Sequence, residues 1–271
     1  MEEDGRGGIG DPGARPRPGE GSDYGRAFDD EQSGALRDTP PSIFEPILVD
    51  SPVSGHRAAP EQSAVLAADA PEHDFTAARS IIMPALRPVG TQGRPISTLH
   101  AVRASEGSAS HTQPLLDEGP CGLPVVYTLA ATGFDVVVNG DHLSSWGVGI
   151  EAVQDAAVAN LRAWSATAPW TDEVSGDRRL LSSDSGEGSD AARILLPEVR
   201  EHLARELGAT GRVLVGLPER HLLVAGTLRP DDGAFAGLFA EFVLEESGGA
   251  DEPIDRRVFE LVGGELVEFA G

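Results

Sequence analysis

Apolar positions are spread unevenly along this chain. Up to Asp74 they are scattered among Gly, Pro, Ser, Asp and Glu, and from Leu115 onward they gather into runs with a helical or strand period. A stretch such as Gly13-Ala14-Arg15-Pro16-Arg17-Pro18-Gly19 offers too little apolar surface to offset chain entropy, so residues 1–73 are expected to be a disordered acidic arm. Ile43-Phe44-Glu45-Pro46-Ile47-Leu48-Val49 is the exception; it fits a docking peptide, an edge strand added to the domain, or a greasier patch of the arm.

An α+β domain is expected over residues 74–271, with 74–120 as a helix plus a long loop and 121–271 as the main core. Asp74 is placed to cap a helix over Phe75 to Met83, ended or interrupted by Pro84. Residues 87–120, with Gly90, Gly93, Gly107, Pro95 and Pro114, predict a long loop. Two strands follow, Pro124 to Leu129 and Phe134 to Val138, joined by a turn at Ala131-Thr132-Gly133. Ile150, Val153, Ala157, Leu161 and Trp164 mark one face of an amphipathic helix. Leu180 to Ser183 fits a strand. Ala191 to Leu207 predicts a helix capped by Asp190, with Pro197 as a kink or as the first residue of a new helix.

The strongest patterns come last. Arg212 to Leu217 and His221 to Ala225 predict a hairpin turning at Pro218-Glu219-Arg220. Phe235, Leu238, Phe239, Phe242 and Val243 stripe a helix over Asp232 to Glu246. A final hairpin runs from Val258 to Phe269 through Gly263-Gly264. Strands arriving in hairpin pairs with helices between them predict a mainly antiparallel sheet with helices packed on it.

Charge narrows the function. The net charge is −23: residues 1–74 hold 16 acids and 6 arginines, and residues 116–271 hold 27 acids and 11 arginines. Such a surface repels phosphate, which argues against nucleic acid and against anionic membranes as partners. All 21 basic residues are arginine, so neither a Schiff-base lysine nor a P-loop lysine exists. A single cysteine, Cys121, excludes an intramolecular disulfide. The acidic first ten residues do not fit a secretory signal, and a cytoplasmic location is expected.

No motif carries chemistry on its own. Gly186-Glu187-Gly188-Ser189-Asp190-Ala191 matches the G-x-G-x-x-A dinucleotide fingerprint, but Asp184, Glu187 and Asp190 crowd it with negative charge, and a flexible Gly/Ser loop explains it better. The same three acids lack calcium-loop spacing. The histidines at 56, 73, 100, 111, 142, 202 and 221 form no metal-binding pair, Cys121 has no activating neighbour, and Ser144-Ser145 and Ser182-Ser183 lie in no nucleophile elbow. Trp146, Trp164 and Trp170 fit core packing. No cofactor and no metal are expected. The Pro218-Glu219-Arg220-His221 turn stands out because two apolar strands hold it rigidly.

The arrangement over residues 75–271 resembles the YtpQ-like bacterial family, a domain of unknown function. The likeness rests on Ile81-Ile82-Met83-Pro84, Val125-Val126-Tyr127, Asn160-Leu161-Arg162, Ile194-Leu195-Leu196 and Leu217-Pro218-Glu219-Arg220. The family turn continues with an aspartate, where this chain has His221. The resemblance implies no activity.

Two readings follow. One is a non-catalytic interaction or ligand-binding module for a protein or small molecule, with Asn160, Pro218, Glu219, Arg220 and His221 as its surface. The other is a hydrolase-like enzyme in which Arg220, His221, Glu219, Asn160 and Asp141 converge on one pocket.

Overall fold

The computed structural model describes residues 71–101, 111–131 and 134–271. Residues 1–70 of the expected arm, with the Ile43 to Val49 segment and His56, lie outside the described residues, as do Thr132 and Gly133 of the expected turn.

Asp74 does cap a helix, accepting from the Thr76 amide at 2.8 Å, but that helix, α1, is only Phe75–Ala78. Ile82–Leu86 is a strand instead, β1. Its one sheet partner lies opposite in antiparallel register, with Pro84 facing Tyr127. Proline is tolerated there because β1 is an edge strand and needs no amide on its outer side. The expected loop likewise holds β2 (Arg94–Pro95) and β3 (Leu115–Glu118). With β4 (Pro124–Ala131) and β5 (Phe134–Val137) they form a five-stranded sheet ordered β1-β4-β3-β2, β5 also pairing with β4. Every pair is antiparallel except the two-residue β2–β3 contact.

After the short helix α2 (Gly140–Trp146), helix α3 (Ile150–Ser165) lays Ile150, Val153, Ala157 and Leu161 into the core, as their spacing requires. At one end of this layer the Tyr127 hydroxyl donates to Asp117 Oδ2 at 2.5 Å, and Gln154 of α3 donates to the same oxygen at 2.6 Å.

The second sheet has six strands, all antiparallel: β6 (Thr171–Ser175), β7 (Arg178–Ser183), β8 (Arg212–Glu219), β9 (Leu222–Leu228), β10 (Val258–Val262) and β11 (Glu265–Glu268), ordered β11-β10-β8-β9-β7-β6. Helix α4 (Pro197–Leu207) begins at Pro197 after a short 3-10 helix, Ala191–Leu195, so proline stands at the start of a new helix. Helix α5 (Gly233–Gly249) packs on the other face. Side chains of β8 alternate accordingly: Val213, Val215 and Leu217 join the core shared with α3 and α4, while Leu214 packs with Phe235, Phe239 and Val243 of α5. Covered on both sides, β8 and β9 are apolar almost throughout. Two glycines let α5 lie close. A Cβ at Gly216 would meet Val243 at 2.5 Å, and one at Gly226 would meet Phe235 at 2.8 Å.

Phe239, 3% exposed, is central to the α5 layer. Phe239→Ala is expected to cost about 3–5 kcal/mol, read as a lower denaturant midpoint with an unchanged slope. Burial and the Asp117 hydrogen bond push the Tyr127 phenol far above its ordinary value of 10.0. A folded-state pKa raised above the unfolded one stabilises below pH 10 and is lost as pH climbs beyond it. Stability should therefore fall above pH 10 in the native chain and fall less in Tyr127→Phe, measured by urea unfolding across that range.

Candidate functional site

The β8–β9 hairpin positions the site. Its register shifts between Gly216 and Glu219: Gly216 faces Val224, and Glu219 faces Leu222. Two residues, Leu217 and Pro218, thus oppose Leu223 alone, which is a β-bulge. Their carbonyls accept from Asp255 and Ile254 amides at 3.1 and 2.9 Å, so the bulge holds the segment leading into β10. Pro218 and Glu219 belong to the strand, and the turn is Arg220-His221 rather than the expected Pro218-Glu219-Arg220.

Arg220 points back under this turn. It donates to the Gly188 carbonyl at 2.7 Å and to Glu252 at 3.1 Å, and it is ion-paired with Asp135 of β5. Its backbone carbonyl receives the Ala191 amide, and its amide donates to the Glu252 carbonyl. Gly188 has φ +80°, and a Cβ there would meet Arg220 Nε at 2.9 Å. The fingerprint-like glycine therefore admits a guanidinium of the same chain. Its acids also diverge. Asp184 is exposed, Glu187 accepts from the Trp164 indole at 2.5 Å, and Asp190 is buried.

In front of the turn lies a groove of 440 Å³ lined by Glu219, His221, Glu245, Glu246, Gly249, Ala250, Asp251 and Glu252. It sits at the C-terminal end of α5, where helix carbonyls add negative potential and the last turn holds no basic residue. Burial, then Glu219, Glu245 and Asp184, push the Glu246 carboxyl above its usual range. His221 Nδ1 is buried with no hydrogen-bond partner among the described residues.

The other predicted residues stand elsewhere. Asn160 donates to the carbonyls of Arg79 and Ile82, both at 2.8 Å, and fastens α3 to the α1–β1 connection. Asp141 is exposed in the first turn of α2. Cys121 takes φ +53° and donates its thiol to the Leu266 carbonyl at 3.1 Å; burial raises its pKa, the opposite of activation. Trp146 is buried and donates to the Pro71 carbonyl. Among the described residues no three His, Cys, Asp or Glu side chains group as ligands of one metal ion.

Sequence reasoning missed a second polar centre. Arg193 is 1% exposed. Its five N–H groups meet Ser165 Oγ, Ser183 Oγ and the carbonyls of Ser165, Ala168 and Pro169 at 2.7 to 3.5 Å. Its guanidinium lies 4.0 Å from the Trp170 ring centroid and 5.9 Å from that of Trp164. Ser183 in turn donates to Asp190 at 2.5 Å, and Ser185 donates to the other oxygen at 2.7 Å. Asp190 therefore does not cap the following helix as expected; it is the buried counter-charge of Arg193. Burial lowers the Arg193 pKa to about 10, with Asp190 opposing the shift. The available signal was an arginine inside the apolar run Ala191-Ala192-Arg193-Ile194-Leu195.

No protein-family model, curated protein or solved structure matches this chain.

Removing Arg193 leaves Asp190 buried without its counter-charge. Arg193→Ala is expected to cost roughly 3–5 kcal/mol in chemical denaturation, and adding Asp190→Asn to it should cost less than the two single changes summed.

Proposed function

We propose that this chain is a non-catalytic interaction module, and that the acidic groove beside the β8–β9 turn receives a cationic segment of a protein partner. The observation that carries the reading is the convergence of Glu219, Glu245, Glu246 and Asp251 on one groove whose lining contains no arginine; the fifth acid there, Glu252, is already paired with Arg87 and Arg220. Bringing carboxylates together at a helix C-terminus is unfavourable by itself, and a cation relieves that repulsion. The raised Glu246 pKa points the same way, because it records the local cost of negative charge.

The enzyme reading needs Asn160, Asp141, Glu219, Arg220 and His221 around one pocket. Only Glu219 and His221 line the groove; Arg220 is spent on Gly188, Asp135 and Glu252, and Asn160 and Asp141 are placed elsewhere. Among the described residues His221 also has no carboxylate or carbonyl orienting Nδ1, the role a third residue plays for a catalytic histidine base. A protein partner fits better than nucleic acid or an anionic membrane, since phosphate would meet the same carboxylates. Among the described residues no helix is long and apolar enough to cross a membrane. A cytoplasmic setting, with the lone Cys121 reduced, completes the proposal, and the YtpQ-like likeness attaches no activity to it.

Calorimetric titration of the full chain with a short oligoarginine peptide tests this. Binding is expected at low salt, weaker as salt rises, and about tenfold weaker in Glu219→Gln/Glu246→Gln, a change of about 1.4 kcal/mol. A bound cation favours ionised Glu246, so binding should release a proton at a pH where that raised carboxyl is partly protonated, seen as an enthalpy that depends on the buffer. Undiminished binding by the double variant, or none by the native chain, would overturn the proposal.

A further inference from the structure

The β6 strand stands apart from the rest of the second sheet. All five residues, Thr171–Ser175, are exposed, and β6 ends the strand order, so its outer edge pairs with nothing among the described residues. At the other end of the sheet β11 is in contact with the chain itself: the Cys121 thiol reaches the Leu266 carbonyl, and Arg257 holds the Cys121 carbonyl at 3.2 Å. Among the described residues the edge of β6 has no such cover, and an open edge is a template for another strand.

The two faces of β6 differ in chemistry. Asp172 and Val174 lie opposite Leu181 and Arg179 of β7, on the side of α4, where Arg179 also bonds the Glu206 carbonyl at 2.8 Å. Trp170 precedes the strand on this same face and stacks on His202 of α4, with ring centroids 5.4 Å apart. Beside it opens a groove of 200 Å³ whose lining includes Trp170, Leu196, Val199 and His202 together with Arg162 and Arg193. Val174 is 66% exposed. Thr171, Glu173 and Ser175 face the opposite side, with Glu173 opposite Leu180. Around this hairpin Asp172 pairs with Arg179, Asp177 with Arg229, and Arg178 with Asp232. Glu173 has no ion pair among the described residues.

We infer that the free edge of β6 is a docking site for an extended peptide segment in which apolar and basic residues alternate. An added strand takes its affinity from main-chain hydrogen bonds and its specificity from every second side chain. The period of 2 sets one row of the incoming side chains against Trp170 and Val174 and the other against Glu173. Asp172, between Trp170 and Val174, is already paired with Arg179, so the first row is apolar, with a large anchor at the Trp170 groove, and the second carries a cation. A second copy of this chain is the poorer occupant: a two-fold antiparallel pairing centred on Glu173 sets that carboxylate against its own copy, and one centred on Val174 sets it against Ser175, which supplies no cation. This site is distinct from the acidic groove and does not depend on the reading given for it.

The test uses the full chain and a labelled seven-residue peptide of alternating valine and arginine, followed by fluorescence anisotropy. Saturable binding is expected, with amides of residues 171–175 gaining protection from hydrogen exchange. Glu173→Arg and Val174→Asp, both at exposed positions and checked for unchanged thermal unfolding, should each weaken binding about tenfold. A peptide with serine in place of valine should bind at least tenfold more weakly, and Glu219→Gln/Glu246→Gln should leave binding unchanged. Any of three results overturns the inference: no binding, binding by both β6 variants as tight as by the native chain, or loss only in the Glu219→Gln/Glu246→Gln variant. Sedimentation showing self-association abolished by Val174→Asp, without peptide binding, would assign the edge to a second copy and overturn it as well.

Discussion

The cost of taking Arg193 out of water governs how the two halves of this domain meet. A buried guanidinium is tolerated only where each N–H finds an acceptor. Here the acceptors come from the end of α3, the connection at 168–169 and Ser183 of β7. Helix α3 packs on the first sheet and β7 belongs to the second, so one side chain ties the layers together. Asp190 supplies the opposite charge at one remove through the Ser183 hydroxyl, and Trp170 covers the guanidinium face. Few other arrangements satisfy so many directional demands, which gives the network a role in specifying a single packing.

Arg220 does a related job near the surface. Through Asp135 it reaches the first sheet, through Gly188 the loop after β7, and through Glu252 the segment after α5. That guanidinium and Arg87 offset Glu252, while Glu219, Glu245, Glu246 and Asp251 keep the negative field of the groove. Helix α5 is set by constraints at several points: Asp232 caps its start and binds Arg178 of β7, and Gly216 and Gly226 leave room for Val243 and Phe235. Its C-terminal turn is thereby delivered beside the hairpin turn.

The α+β class, the antiparallel hairpins and the long helices were legible because they depend on the spacing of apolar residues, which Ile150 to Leu161 and Phe235 to Val243 display plainly. The region before Leu115 misled because Ile82 to Leu86 is too short to separate strand from helix by period, and Pro84 reads as a helix breaker when it marks an edge strand. β6 escaped notice because an exposed edge strand has no apolar alternation to display. The candidate turn was legible as a rigid polar cluster, but its partners were not. Glu245, Glu246, Asp251 and Glu252 are distant in sequence and join Glu219 and His221 only through tertiary packing. Asn160 was picked for its polarity, and that polarity is consumed by the Arg79 and Ile82 carbonyls.

The bulge at Leu217-Pro218 has an effect out of proportion to its size. Along β8 the odd positions 213, 215 and 217 point inward to the larger core, and an uninterrupted strand would send Glu219 the same way. The extra residue shifts the alternation by half a wavelength, and the carboxylate emerges on the α5 side, at the mouth of the groove. A chain shortened by Pro218 would leave the glutamate opposite Leu222 and on the same side, but would lose the carbonyl that accepts from the Ile254 amide. The inserted peptide unit thus works as a tether: it moors the segment that follows Asp251 and Glu252 and so fixes the far wall of the acidic surface.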